Sequence, residues 1–244
     1  MTLTGRMKKL LMILTSHADL ADEHEQTGVW LSTFTDAYYT FLKAGFEVTV
    51  ASPNGGRPPI DPLSEQNDHL TAEVTTYKDD FMAQMEMGNT WSLEEVGSTV
   101  FDAVYIADGH GALWDLADNP QLGKLLYELL LNDRPIAMVG HGVAALLSLS
   151  KLRPAVLKGL RVTGFTDTEE ALLKRHPYLP FSLTDRLKAL GAQFGHAVIP
   201  FTPHVAADGT FITGQNPASA ALAAHALVER IGVEQVEAEQ LCYD

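Results

Sequence analysis

Residues 136–149 read Ile-Ala-Met-Val-Gly-His-Gly-Val-Ala-Ala-Leu-Leu-Ser-Leu, so an apolar strand runs through a tight turn directly into a helix. This order is typical of a nucleophile elbow, in which a strained bend at the end of a strand presents a reactive side chain. The residue at the bend is Gly140, which carries neither a thiol nor a hydroxyl group. The segment therefore predicts an α/β fold with an elbow whose nucleophile position is vacant.

Strand and helix patterns alternate on both sides of the elbow. Apolar residues recur at helical spacing over residues 30–44, and Gly45 follows as a helix C-cap. Further helices are predicted over residues 122–131, 182–190 and 216–231. The predicted strands cover residues 9–14, 46–51, 103–107, 136–139, 161–164, 197–200 and 204–213, the last with a hairpin turn at Asp208-Gly209.

This alternation predicts a mainly parallel sheet with helices on both faces. We expect one domain over residues 1–232, followed by an acidic tail over residues 233–244. Glycine and proline predict a loop over residues 52–62. Residues 63–98 are expected to form peripheral cover, helical or irregular rather than sheet, in which Ser92-Leu-Glu-Glu95 resembles a capping box that opens a short helix.

The composition narrows the classes of function. The chain has 244 residues, of which 46% are hydrophobic, enough for one large core. A formal net charge of -14 repels phosphate backbones, so nucleic-acid binding is disfavoured. No apolar stretch approaches the roughly 20 residues of a membrane span. The single cysteine, Cys242, cannot form an internal disulfide, which favours a reducing, cytoplasmic compartment.

The predicted sheet brings distant loops together. In open α/β sheets, ligands bind beyond the carboxyl ends of the strands. Residues 16–25, 108–114, 140–142 and 166–170 all follow predicted strands. We therefore expect these four segments to surround one pocket.

Several short motifs along the chain resemble the DJ-1/PfpI superfamily, and within it the Hsp31-like branch. They match that branch in order from residue 9 to residue 231. The matching motifs are Thr15-Ser-His17, Thr27-Gly-Val-Trp-Leu31, Ala51-Ser-Pro53 with Gly55-Gly56, Pro59-Ile-Asp-Pro62, Gly109-His-Gly111 with Trp114-Asp-Leu116, Val139-Gly-His-Gly142, Thr163-Gly-Phe165 with Glu169-Glu170, and Thr213-Gly-Gln-Asn-Pro217.

The resemblance implies a flavodoxin-like, class I glutamine amidotransferase-like sandwich and a particular chemistry. Active members use an elbow cysteine as nucleophile and the following histidine beside it. An acidic residue from the loop after the fifth strand orients that histidine, and a second glutamate contacts the cysteine. Hsp31-like members are associated with conversion of methylglyoxal to lactate without glutathione and with holding unfolded clients, and many relatives form dimers.

The chain departs from this pattern at three places. Gly140 occupies the cysteine position, and we assign Thr33 to the position of the contacting glutamate. The family's Pro-Gly-Gly-His is altered to Ala107-Asp108-Gly109-His110. Without cysteine and glutamate, we expect the pocket to be larger and less acidic than that of a relative.

The predicted site follows from the elbow and the resemblance. The catalytic positions are Gly140, His141, Glu169, Glu170 and Thr33, with Gly140 and Thr33 vacant and either glutamate able to pair with His141. The predicted pocket residues are His17, Asp108, Gly109, His110, Gly111, Trp114 and Gly142. His110 and His141 are equally well interpreted as structural loop histidines, and both glutamates as acidic residues that open a helix. No ligand spacing indicates a metal, and no cofactor is predicted.

Two hypotheses about function remain from the sequence. The chain is either a pseudoenzyme that binds a small molecule or a protein partner, or an enzyme with residual glyoxalase III-type or hydrolase-like chemistry that uses His141 with Glu169 or Glu170. In the first case we expect a water, an anion or a small carboxylate at the helix start beside His141. We expect no nucleic-acid or membrane partner, and a homodimer is in keeping with the resemblance.

Overall fold

A central sheet of eight strands organises the computed structural model, which describes residues 6–20, 25–97 and 100–232. The order across this sheet is β3-β4-β2-β1-β5-β6-β10-β9, and β7 pairs with β8 in a separate two-stranded sheet. The strands are β1 (Lys9–Ile13), β2 (Glu47–Ser52), β3 (Asn54–Gly56), β4 (Thr90–Ser92), β5 (Ala103–Ile106), β6 (Ile136–Val139), β7 (Arg161–Val162), β8 (Gln193–Phe194), β9 (Val205–Asp208) and β10 (Phe211–Gly214).

Helices cover both faces of this sheet. They are α1 (Leu31–Lys43), α2 (Ala72–Asp79), α3 (Phe81–Gly88), α4 (Ala112–Asp115), α5 (Pro120–Leu131), α6 (Ala145–Leu152), α7 (Asp167–Leu173), α8 (Leu183–Ala189) and α9 (Ala220–Ile231). The pairs α5 with α6 and α1 with α9 are each in extensive contact. The predicted α/β class with a mainly parallel sheet is confirmed, because six of its strands, β4-β2-β1-β5-β6-β10, are joined by parallel pairings.

The residues of the central strands alternate between two hydrophobic cores. In β1, Leu11 and Ile13 face the core that contains α5 and α6, whereas Leu10 and Met12 face the core that contains α1 and α9. Successive side chains of a strand point to opposite faces. Both faces are therefore buried, which explains why these strands are continuous apolar runs.

The elbow has the geometry that the sequence predicts. Strand β6 lies inside the sheet between β5 and β10, and the chain passes from it through a short 3-10 helix (Gly140–Ala144) into α6. Gly140 has φ +55°, a left-handed conformation that glycine adopts without steric cost. The strand-to-helix bend therefore persists although its reactive side chain is absent.

The edge of the sheet differs from the prediction. Residues 63–98 contain α2 and α3, but they also contribute β4, which pairs with β2 and β3. Strand β3 itself lies in the predicted loop over residues 52–62. Ser92 and Glu95 do bond each other, through Glu95 Oε2, but they close a turn and not a helix. These short strands lack apolar alternation, so they are specified only by the pairing of β4 with β2 and of β3 with β4.

Of two further predicted strands, one is confirmed only in part and the other is wrong. The segment 161–164 forms only β7 outside the main sheet, because the Asp208 carboxylate, rather than a backbone carbonyl of β9, accepts the N–H of Arg161. The segment 197–200 has no strand; the N–H of Ala197 donates to the side-chain oxygen of Gln215, and that of Phe201, the next residue after the segment, donates to Glu169. Hydrogen bonds to side chains thus stand where the apolar pattern predicts backbone hydrogen bonds between strands.

Two further predictions concern the hairpin and the C-terminal tail. The hairpin of β9 and β10 turns at Asp208 and Gly209, as predicted. None of the helices in the described ranges has the length and apolarity needed to span a membrane. The expected tail over residues 233–244, including Cys242, falls outside the described residues.

Three loops pack backbone against backbone at the carboxyl edge of the sheet. A Cβ atom on Gly109 would overlap the carbonyl oxygen of Gly28, and one on Gly28 would overlap that of Pro59. The N–H of Val29 donates to Pro59 O at 2.9 Å and that of Trp30 to Asp108 O at 2.9 Å. Residue 108 is therefore held by close backbone packing.

We predict that Gly109→Ala destabilises the protein while Gly88→Ala does not. The new methyl group at position 109 has no room, and overpacking of this kind costs roughly 1–3 kcal/mol of unfolding free energy or more. A Cβ on Gly88 meets nothing within 4 Å, which makes it the matched control. Urea unfolding of both variants checks this, and equal stabilities would contradict the close packing of the three loops.

Candidate ligand site at the strand-to-helix elbow

The space beside Gly140 is filled by the carboxyl group of Asp108. A Cβ atom built on Gly140 would overlap the carboxyl carbon and both carboxyl oxygens of Asp108. The expectation of an enlarged and less acidic pocket is therefore wrong at this point. A carboxylate occupies the position from which a side chain of residue 140 would project.

The Asp108 carboxylate is held by the turn itself. Its Oδ1 accepts the backbone N–H of Gly109 at 2.7 Å and that of His141 at 2.7 Å. The same oxygen bonds ring Nδ1 of His141 at 2.8 Å. Backbone N–H groups at a helix start favour an anion. The predicted anion position beside His141 is thus taken by a carboxylate of the chain.

Thr33 supports the backbone of Asp108 and does not line the cavity. Its hydroxyl accepts the N–H of Asp108 at 3.0 Å and donates to the carbonyl oxygen of Trp30 at 2.7 Å. The cavity wall at this point of α1 is formed by the neighbouring Ser32. Helical position decides this, because adjacent residues on a helix point in different directions.

His141 lies between two carboxylates. Its Nδ1 faces Asp108, and its Nε2 bonds Oε1 of Glu170 at 2.5 Å. Burial alone would lower the pKa of His141, but the negative charges of Glu170 and Asp108 outweigh burial and hold this pKa well above its usual range. His141 is therefore an imidazolium that donates from both ring nitrogens.

Glu170 links the two histidines. Its Oε2 accepts from Nε2 of His110 at 3.0 Å, and the ring centroids of His110 and His141 are 4.0 Å apart. Burial favours the protonated form of Glu170, but the His141 charge and the hydrogen bonds from both histidines hold its pKa far below the usual range. Burial and the His141 charge lower the pKa of His110, so that ring stays neutral.

A buried arginine continues the chain of contacts beyond His110. Arg175 Nη1 lies 3.3 Å from Nδ1 of His110, and its guanidinium contacts both carboxyl oxygens of Asp61 at 2.6 and 3.2 Å. Thr27 donates a further hydrogen bond to Asp61. Because Nδ1 of His110 accepts from Arg175, its Nε2 must carry the proton given to Glu170. Neither Arg175 nor Asp61 was expected at the site from the sequence, in which they are 114 residues apart.

The two adjacent glutamates have separate roles. Glu169 completes a capping box with Thr166 at the start of α7. Its Oε1 also accepts from the backbone N–H of Phe201 and from the side-chain amides of Gln215 and Asn216. Glu170 is therefore the partner of His141, whereas Glu169 joins the loops around the site.

Five predicted pocket residues lie away from the cavity wall, namely His17, Gly109, Gly111, Trp114 and Gly142. His17 stacks on Trp114 with ring centroids 4.8 Å apart. Gly111 and Gly142 are close-packed, since a Cβ on Gly111 would meet Thr15 and His17 and one on Gly142 would meet the carbonyl oxygen of Ala107. These residues shape the turn and not the ligand space. The segment 16–25 is described only in part, because residues 21–24 lie outside the described ranges.

A cavity of about 340 Å³ opens beside Asp108. Asp108 and His110 are the predicted pocket residues that line it. The further lining residues are Trp30, Ser32, Asp36, Asp68, His69, Leu70, Thr71, Phe165, Leu173, Phe201 and Asn216 to Ala218. This volume falls in the range of small-molecule pockets.

The two histidines and Glu170 are also the group most suited to a metal among the described residues. One donor atom from each of His110, His141 and Glu170 lies within 4.8 Å of the others. In this arrangement, however, Glu170 bonds both histidines directly, and the guanidinium of Arg175 contacts His110. The group is thus satisfied as a hydrogen-bonded ion cluster.

We predict that His141→Asn lowers the unfolding free energy by about 3–5 kcal/mol at neutral pH, because it leaves the carboxylates of Asp108 and Glu170 buried without their cation. The pKa of His141 is raised in the folded state from 6.5. Its stabilisation is therefore complete below pH 6.5 and is lost as the pH rises, by up to about 1.4 kcal/mol per unit. Urea unfolding from pH 6.5 to pH 9 measures both effects.

The exposed His225 provides the control for that experiment. The His225→Asn variant should retain both the stability and the pH dependence of the wild type. A wild type whose stability stays constant from pH 6.5 to pH 9 would contradict an imidazolium at His141.

A family model described as the DJ-1/PfpI family matches residues 20–230. The glutathione-independent glyoxalase HSP31 of Saccharomyces cerevisiae is 30% identical over 87% of this chain and 93% of the relative. The glutamine amidotransferase-like class 1 domain-containing protein 1 of Bos taurus is 32% identical over 74% of this chain and 79% of the relative.

Solved structures agree with the sequence relatives. The rapid encystment protein of Francisella tularensis is 32% identical, with a TM-score of 0.86 over 92% of this chain and 99% of that one. Glyoxalase III of Candida albicans is 25% identical, with a TM-score of 0.81 over 91% of this chain and 97% of that one. By fold, by order of motifs and by a match over most of its length, the chain belongs to the DJ-1/PfpI family and has Hsp31-like and glyoxalase III homologues.

Proposed function

We propose that this protein is a non-catalytic, Hsp31-like member of the DJ-1/PfpI family that binds a small polar molecule in the cavity beside Asp108. The observation that carries the proposal is the Asp108 carboxylate at the elbow. It overlaps the volume of any side chain at residue 140 and takes the N–H groups of Gly109 and His141. Covalent catalysis at the elbow needs a nucleophile in that volume.

The state of His141 also argues against chemistry without a nucleophile. A general base needs a free nitrogen lone pair near the proton that it removes. Both ring nitrogens of His141 are engaged by carboxylates, and its side chain is 1% exposed. The low pKa of Glu170 and the partners of Glu169 leave neither glutamate suited to deliver a proton.

The alternative is residual glyoxalase III-type or hydrolase-like activity. It is favoured by the relatives in Saccharomyces cerevisiae and Candida albicans that are named as glyoxalases. For this chain, the alternative would require the Asp108 carboxylate to leave the elbow and expose His141. Three hydrogen bonds to Oδ1 oppose that movement.

We predict that the wild-type protein forms no lactate from methylglyoxal above the rate of buffer alone, because no thiolate can add to the aldehyde at residue 140. Lactate is measured with the wild type and with Cys242→Ser. Turnover of roughly 1–1000 per second by the wild type would overturn the proposal. Activity that disappears with Cys242→Ser would assign it to the thiol of residue 242.

A paired substitution tests the role of Asp108 from the opposite direction. In a Cys242→Ser background, we expect Asp108→Gly with Gly140→Cys to yield a thiol at position 140 that iodoacetamide alkylates at pH 6.5, because the space is free and the adjacent His141 charge stabilises a thiolate. Gly140→Cys alone should fold poorly, since its Cβ overlaps the Asp108 carboxyl group. A well-folded and reactive single variant would contradict this packing.

A further inference from the structure

One oxygen of the Asp108 carboxylate is left without a partner. The three hydrogen bonds described above all fall on Oδ1, and Oδ2 has none among the described residues. The Asp108 side chain is 2% exposed, and Asp108 lines the cavity. A carboxylate oxygen is a strong acceptor, and Oδ2 is free to accept. It therefore marks the part of the cavity where a ligand donor fits.

The charge of the cavity wall has one sign. The described residues that line it include three aspartates, Asp36, Asp68 and Asp108, and no lysine or arginine. Burial raises the pKa of Asp36 to about 6, a cost that a nearby cation would offset. Behind the wall, the imidazolium of His141 lies between Asp108 and Glu170, so this trio keeps a net negative charge. The electrostatics of the wall therefore favour a cation.

Aromatic rings form the rest of the wall. Trp30, Phe165 and Phe201 line the same cavity as the three aspartates. The faces of aromatic rings attract ammonium groups, by about 0.5–2 kcal/mol. Carboxylates and aromatic rings that line one cavity are complementary to a small organic cation.

We infer that the cavity binds a small primary ammonium compound, whose N–H group donates to Oδ2 of Asp108 and whose carbon chain packs against Trp30, Phe165 and Phe201. This inference rests on the proposed function and names the ligand class of the same site. It replaces the anion expected from the sequence, since the backbone donors that would hold an anion already bind Asp108 Oδ1.

Isothermal titration calorimetry at pH 7 tests the ligand class with three probes of equal chain length. These are n-butylamine, 1-butanol and butyrate, which present a cation, a neutral hydroxyl group and an anion. We expect n-butylamine to bind roughly tenfold to hundredfold more tightly than 1-butanol, the range of a charge-assisted hydrogen bond. Butyrate should not bind. Equal or tighter binding of butyrate, or absence of amine binding, overturns the inference.

The variant Asp108→Asn tests the acceptor. Its amide oxygen can still accept the N–H groups of Gly109 and His141, but an NH2 group then faces the cavity in place of Oδ2. We expect n-butylamine affinity to fall at least about tenfold, as for loss of a charged hydrogen bond. Asp118→Asn removes the same charge at an exposed site outside the cavity and should leave affinity unchanged. Equal affinities of both variants overturn the inference.

A second variant keeps the test decisive if Asp108→Asn does not fold. Asp36 lies outside the His141 contacts, and an amide oxygen there still accepts from Thr71. Asp36→Asn should weaken n-butylamine binding severalfold, and unchanged affinity would overturn the cationic site. Lactate formation measured in the same samples separates the two conclusions, because turnover refutes the proposed function whereas failure of amine binding with no turnover refutes only the ligand class.

Discussion

The contact of Asp108 Oδ1 with two backbone N–H groups and the ring of His141 is the interaction on which the site depends. It places a negative charge at the start of a helix, where the backbone dipoles stabilise it. It excludes any side chain from residue 140 and keeps a proton on His141. Because all three bonds fall on one oxygen, the other oxygen is left for the cavity. A single carboxylate thus fills the space beside residue 140, and the same residue lines the cavity.

The charges beyond His141 follow from that contact. The imidazolium of His141 stabilises the ionised form of Glu170. Glu170 in turn accepts from Nε2 of His110 and so keeps the His110 proton on that nitrogen. Arg175 and Asp61 close the series with a pair of their own. Buried ions of this kind add little net stability, but removal of one partner is costly. The cluster therefore resists rearrangement more than it strengthens the fold.

Residues 108 and 140 have to be considered together. A side chain at the elbow and a carboxylate at residue 108 compete for one volume. The glycine at position 140 and the aspartate at position 108 are therefore complementary. In the proposed function, the elbow and His141 hold a carboxylate that accepts a hydrogen bond from a ligand.

The α/β architecture and the elbow can be predicted from the sequence, because periodic burial and turn residues are local properties. The resemblance of the motifs also groups His141 with Glu169 and Glu170. The contact of Asp108 with the elbow, the choice of Glu170 rather than Glu169 as the partner of His141, and the pairing of Arg175 with Asp61 are seen only in the folded protein. Those choices depend on distances between loops far apart in the chain, and the same holds for the short strand Thr90–Ser92. A local sequence pattern indicates which residues are buried. The partner of a buried polar group depends instead on how the loops at the whole sheet edge pack together.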